Sequence, residues 1–281
     1  MKNILSCWDA IATKIKEAEH ILLLSDYDGT LTPIVEKPGL ANLSSQVKEY
    51  LQRLAGNPCM TLGIVSGRAL RDLRERTGVD NITYVGNHGL EIEGPDFSFV
   101  NPVARKTQPF LHSLCEELSQ ALAKIRGSRV DNKGLTLSLH YRLVDEVQLG
   151  EVDKIFHRVV DPPLISGKIR VTPSKKAYDI RPAVDWGKGK AIEFIVQRLN
   201  EKLAKGSKLL VIFLGDDVTD YDGFCVVNKG NGISIFVGEE SAEPEASYFL
   251  RSPNEVYQFL NMLGGVIKLN NECGKRNKET G

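Results

Sequence analysis

Apolar residues near the start of the chain recur in two rhythms. Leu5, Trp8, Ile11 and Ile15 fall three and four residues apart, the spacing that lines one face of a helix. The unbroken run at 21–24 predicts a buried strand. Ser44 and Ser45 are placed to cap a helix through Leu54, Met60–Val65 reads as the next strand, and Ser66-Gly67-Arg68 as the entry to another helix. The same alternation returns late in the chain, with a helix near 190–203, a strand at 209–213, the loop Gly-Asp-Asp-Val-Thr-Asp at 215–220 and a strand near Ile233–Val237. Between these stretches the rhythm changes to a helix near 110–125, alternating runs such as LTLSLHYR, a further helix and KIRVTPSKKAYDI.

Strands and helices in this order predict an α/β fold, a doubly wound, Rossmann-like parallel-sheet core formed by residues 1–105 and 183–281. A smaller α+β domain at 106–182 is inserted into it, with crossings near 102–109 and at Arg181-Pro182. The polar tail at 270–281 is expected to be disordered at its end.

Charge narrows the partners. Lys+Arg and Asp+Glu both number 36 in 281 residues, so no positive surplus exists to gather nucleic acid or an anionic membrane, and a small molecule is favoured. No apolar run is long enough to span a bilayer. The first twenty residues break their apolar positions with charge, unlike a signal peptide. Five scattered cysteines without a C-x-x-C pair fit neither a disulfide framework nor a zinc site, so a reducing cytoplasm is the expected location, and a monomer the expected state.

Two carboxylates, Asp26 and Asp28, follow directly on the first buried strand, where open α/β sheets place their ligands. Gly29 permits a tight turn that aims both at one spot, and Mg²⁺, an oxygen-seeking cation, suits such a pair. The competing reading is an Asp-rich turn that merely ends a strand. A second cluster, Asp216, Asp217 and Asp220, follows another strand of the same sheet. Ser66, Gly67 and Arg68 offer a hydroxyl, free backbone N–H groups and a helix start to a phosphate oxygen. Lys188 opens another helix and can neutralise a phosphoryl group, or else is a solvated surface lysine.

In this order, D-x-D-G-T, a Ser at a strand end, a Lys and G-D-D-x-x-D resemble the haloacid dehalogenase-like phosphotransferases. The resemblance implies that Asp26 attacks phosphorus to form an aspartyl-phosphate, that Asp28 protonates the leaving alkoxide and then activates water, and that Ser66 and Lys188 hold the phosphoryl oxygens. It implies Mg²⁺ held by Asp26, the backbone carbonyl of Asp28, and Asp216, with Asp217 and Asp220 orienting waters or the lysine.

The segments DYDGTLTPI at 26–34, YVGNHGLE at 84–91 and GDDVTDYDGF at 215–224 further resemble the trehalose-6-phosphate phosphatase family over nearly the whole chain. Asn87 and the glycines fit a shaped loop beside the site, and His88 is either a substrate contact or a satisfied core histidine. The insert would be the family's cap domain, closing over the core and supplying sugar contacts from Asp131 and Lys133, Arg142, Lys175 and Lys176, and Asp179. This chain departs from the family pattern in carrying Asp131 and Asp179 where glutamates are usual, and Tyr221 after the second carboxylate cluster. The sugar therefore stays open between trehalose 6-phosphate and another phosphosugar or a glycosyl-3-phosphoglycerate, whose carboxylate Arg142, Lys175 and Lys176 suit. A non-catalytic sugar-phosphate-binding module is the alternative of a different class.

Overall fold

Every side chain of β2 (His20–Asp26) is buried, as a strand covered on both faces requires. A computed structural model of the chain describes residues 1–35, 39, 41–174, 176–239 and 245–279, with the backbone alone at 174 and 268–279. Two compact units emerge, Met1–Ser98 with Trp186–Gly281, and Phe99–Asp185.

In the first unit β2 is flanked by β3 (Met60–Val65) and β4 (Thr83–Gly86) on one side, and by β11 (Leu209–Gly215), β12 (Ile233–Val237), β13 (Tyr248–Leu250) and β1 (Lys2–Asn3) on the other, all parallel to their neighbours. β5 (Glu91–Glu93) adds antiparallel to β4, and β6 (Ser98–Val100) completes the described sheet. Chain order reverses between β2 and β11, so the sheet has its topological switch point there, and the crevice at their C-terminal ends is where such sheets bind ligands.

One face of this sheet is covered by α1 (Trp8–Glu17), α2 (Ser45–Ala55), α3 (Leu70–Thr77) and α8 (Pro253–Glu279), which bury Ile11, Val47, Leu73 and Phe259 against Leu23, Leu62 and Ile212. The Ser44 hydroxyl caps α2 by accepting from the Val47 N–H at 3.3 Å. Over the other face lie α6 (Lys188–Asn200) and α7 (Tyr221–Lys229), where Phe213 of β11 meets Phe224 at 5.4 Å. Each fully buried leucine contributes about 1.5–3 kcal/mol of transfer free energy.

The second unit has its own core. Four antiparallel strands run in the order β7 (Arg129–Asn132), β8 (Leu137–His140), β10 (Ala177–Pro182), β9 (Ile169–Ser174). One face, through Leu137, Leu139 and Ile180, packs on α4 (Pro102–Leu122) and α5 (Glu146–Ile165). On the other, Asp131, Ser138, Asp179 and Thr172 stand opposite one another in one row.

Two readings need correction. The stretch 102–109 is helix instead of a crossing: Asn101 Oδ1 accepts from the N–H groups of Val103 and Ala104, Pro102 sits where helices tolerate proline, and α4 runs on through Pro109. Ser66-Gly67-Arg68 does not open a helix, since α3 starts at Leu70 after Ala69. The last helix is described to Glu279, and the expected disorder at the end of the tail falls on 280–281, outside the described residues.

Candidate active site

Asp26 is the last residue of β2, and Asp216 follows the last residue of β11. Gly29 lets the two loops touch: its φ is +94°, and a Cβ built there would lie 2.1 Å from Asp216 Oδ2. Thr30 Oγ1 donates to Asp216 Oδ1 at 3.2 Å. From the first turn of α6, Lys188 Nζ donates to Asp26 Oδ1 and to Asp220 Oδ1, both at 2.6 Å. All three side chains are buried, at 3%, 7% and 0% exposure. Lys188 is thus no solvated surface lysine.

Burial pushes the Asp26 carboxyl well up from the carboxylate range, with Asp220 and Asp216 adding to it and Lys188 opposing. Burial likewise raises Asp220 against the pull of Lys188. Desolvation acts to lower Lys188, but Asp220 and Asp26 outweigh it and hold the ammonium charged. Asp26, Asp216 and Asp220 each offer an oxygen within 4.8 Å of the others. Three carboxyl groups share one ammonium, a crowded set of oxygens that a divalent cation with a preference for oxygen fits. Asp220 Oδ2 also accepts from the N–H groups of Asp216 and Asp217, so Asp26 and Asp216 are the better placed ligands. Asp217 caps the following turn through the Val218 N–H.

A second group of loops forms beside this one. Ser66 is buried at the end of β3. Its N–H donates to Val85 O at 2.9 Å, and its Oγ accepts from the Arg68 N–H at 3.2 Å. These amides are therefore already engaged, where the sequence reading expected them free. Arg68 lies against Asp28: Nε donates to Asp28 Oδ2 and Nη2 to Asp28 Oδ1, both at 2.6 Å, while Nη1 donates to Asp72 Oδ2 at 2.8 Å. Burial opposes its charge, but the bonds to Asp28 and Asp72 raise its basicity further. Asn87 and His88 have φ of +48° and +56°, and their N–H groups donate to Arg68 O and Ser66 O. The buried His88 ring covers Gly67, where a Cβ would come within 2.5 Å of Cε1.

The structure therefore gathers Asp26, Lys188, Asp216, Asp217 and Asp220 into one cluster, and Asp28, Ser66, Gly67, Arg68, Asn87 and His88 into its companion. Sequence reasoning assigned nothing to Asp72, to Glu91, whose Oε1 accepts from Asn87 Nδ2 and the Leu70 N–H, or to Trp186, whose Nε1 donates to Gly89 O at 2.7 Å. The four-residue spacing of Arg68 and Asp72 is a signal that a search for i,i+4 charge pairs would have found.

In the second unit, Asp131 accepts from Arg129 at 2.6 Å and lies 3.1 Å from His140 Nε2. Burial acts to raise its carboxyl, yet His140 and Arg129 bring it below the ordinary range. Asp179 accepts from Ser138 Oγ and lies 3.6 Å from Lys133 Nζ. Lys176, exposed with φ +62°, accepts from the Tyr141 N–H beside the exposed Arg142. Lys175 lies outside the described residues.

A doubly wound sheet with paired aspartates and a serine at its strand ends, and a lysine from a helix start beside them, is the core of haloacid dehalogenase-like hydrolases. A member from Bacteroides thetaiotaomicron shares the fold, at a TM-score of 0.59 and 16% identity over 87% of this chain and 99% of that one. The sequence model described as Trehalose-phosphatase matches residues 24–254, and the chain belongs to that family of phosphoric monoester hydrolases. It is 32% identical to trehalose-phosphate phosphatase B of Arabidopsis thaliana, over 93% of this chain and 70% of the relative. The C-terminal domain of trehalose-6-phosphate phosphatase from C. albicans superposes with a TM-score of 0.76 at 26% identity, covering 92% of this chain and 96% of that one.

Proposed function

We propose that the chain hydrolyses trehalose 6-phosphate to trehalose and phosphate through an aspartyl-phosphate on Asp26. One observation supports this above the others: a buried lysine holds the Asp26 carboxylate by one oxygen, at the switch point of the sheet and beside Asp216 of the neighbouring strand loop. With Oδ1 held by Lys188, Oδ2 attacks phosphorus as the bond to the sugar oxygen breaks, and Asp28 gives its proton to that oxygen. Asp28 then takes a proton from the water that attacks the aspartyl-phosphate, which restores Asp26 and releases phosphate. Ser66 and Lys188 position the phosphoryl oxygens. Asp26, the backbone carbonyl of Asp28, and Asp216 would hold Mg²⁺, which when bound offsets the negative charge of the nucleophile and the phosphoryl group.

Sugar recognition we assign to the insert, whose polar sheet face carries Asp131, Lys133 and Asp179 with Arg142 and Lys176 at one end. The same reading takes the enzyme as a cytoplasmic monomer acting on a small sugar phosphate, with neither nucleic acid nor membrane as partner. Among the described residues no helix is long and apolar enough to cross a membrane. A second reading, another phosphosugar or a glycosyl-3-phosphoglycerate, is favoured by the engagement of both shortened carboxylates, Asp131 by Arg129 and His140, and Asp179 by Ser138.

Phosphate release from trehalose 6-phosphate is to be compared with that from glucose 6-phosphate, mannosyl-3-phosphoglycerate, glucosyl-3-phosphoglycerate and an aryl phosphate, with Mg²⁺ and after chelation. The first is expected to lead in kcat/KM by orders of magnitude and to fall silent on chelation. A different leading substrate overturns the sugar assignment, and indifference to chelation overturns the metal.

A further inference from the structure

Asp28 must bring an oxygen to the sugar oxygen and then to water in the mechanism proposed above, yet both of its oxygens accept from Arg68 at 2.6 Å. A carboxylate gripped in this bidentate way has both oxygens committed to one guanidinium. One partner has to let go, and the surroundings decide which. The Arg68 side chain is 10% exposed and stacked 5.4 Å from the Tyr27 ring, while that of Asp28 is 40% exposed. Asp72 holds the guanidinium from the other side, and Asp72 itself accepts from Arg76 Nε at 2.8 Å. Arg76 in turn donates to Gly39 O at 3.0 Å. Arg68 is thus anchored and Asp28 is the partner free to swing.

Given the acid/base role proposed for Asp28, the geometry points to a latch: Arg68 parks Asp28 between turnovers, and Asp72 is a positioning residue that divides the guanidinium charge and so sets how readily Asp28 is released. Binding the whole sugar phosphate supplies the free energy that opens the latch, and a small ester supplies little of it. The sequence reading placed Arg68 on the substrate; its new role is to hold the residue that serves the substrate.

Wild type, Arg68→Lys, Asp72→Asn and Asp28→Asn are to be compared in kcat and KM on trehalose 6-phosphate and on 4-nitrophenyl phosphate, with Mg²⁺. Nitrophenolate leaves without a proton, so its turnover reports Asp28 as the base of the second step. Arg68→Lys replaces a fork by a point charge and is expected to raise kcat on the aryl ester by about tenfold, the equivalent of one charge-assisted hydrogen bond. Asp72→Asn removes the carboxylate that shares the guanidinium charge with Asp28 and is expected to lower the same kcat by about threefold. KM for the aryl ester moves little in both, and kcat/KM for the sugar phosphate rises less than the aryl rate in Arg68→Lys.

Opposite signs from two conservative changes around one guanidinium do not arise from a loosened fold. Parallel losses on both substrates, or wild-type rates in both variants, overturn the latch. A common rise of KM on both substrates in Arg68→Lys overturns it too, and makes Arg68 a phosphoryl ligand. Should Arg68→Lys fail to fold, Asp72→Asn, at a side chain 39% exposed, still decides by the sign of its effect. Asp28→Asn separates the two levels: full turnover there removes the acid/base role together with the latch. A collapse there beside unaltered Arg68→Lys and Asp72→Asn removes the latch alone.

Discussion

Lys188 carries one positive charge between two buried carboxylates. Removing it leaves Asp26 and Asp220 buried and uncompensated, so Lys188→Met is expected to cost about 3–5 kcal/mol in urea unfolding as well as all measurable turnover. Asp26→Asn acts differently, because an amide in that place relieves the crowding of like charges. It is expected to abolish turnover while the unfolding midpoint stays equal or rises. A Lys188→Met protein as stable as wild type, or an Asp26→Asn protein that still turns over, removes these residues from their assigned places. Both residues were legible in the sequence because Asp26 ends a buried strand just before the Asp28-Gly29 turn, and Lys188 begins a helix between two glycines. Asp72 and Glu91 were not: the i,i+4 spacing of Arg68 and Asp72 is shared with exposed pairs such as Arg71 and Glu75, and Glu91 matters through its bonds to Asn87 and the Leu70 N–H, which only packing supplies.

At the level of elements, β2 reads cleanly because burial on both faces demands an unbroken apolar run, and the run is there. His20, polar, is buried at its start with Nε2 2.9 Å from Thr61 Oγ1. Burial lowers its pKa in the folded chain. Below about 6.5, the ordinary histidine value, the unfolded chain takes up a proton that the folded chain refuses, so stability falls with falling pH and recovers above it. His20→Gln is expected to flatten this part of the curve in urea midpoints taken between about pH 7.5 and 5.5, and an equal slope in both proteins would rule His20 out. Helix α4 was legible in its middle and hidden at its start. Pro102 and Pro109 suggested a connection, but a proline in the first position lacks only an N–H that has no partner anyway, and the Asn101 cap supplies the rest.

Across the whole molecule, two cores stand apart in composition, one on the parallel sheet and one between the insert's sheet and its two helices. Both tryptophans, Trp8 and Trp186, belong to the first unit. Phe156, buried in the insert and stacked on Tyr178 at 4.2 Å, is a site where truncation to alanine leaves a cavity and costs about 3–5 kcal/mol. In Phe156→Ala, far-UV circular dichroism is therefore expected to begin its thermal transition before tryptophan fluorescence does, and coincident transitions would show a single cooperative unit. The sequence by itself determined the strand–helix alternation and the presence of an insert, and it placed Asp26, Asp216 and Lys188 at the ends of strands or the start of a helix, because apolar period and turn chemistry are local and need no partner to be expressed. Only the tertiary structure decided that Asp28 faces Arg68, that Lys188 bridges Asp26 and Asp220, and that the insert's carboxylates are already engaged. Charged side chains choose partners by competition among all groups within a few ångströms, and which groups those are depends on how distant segments pack.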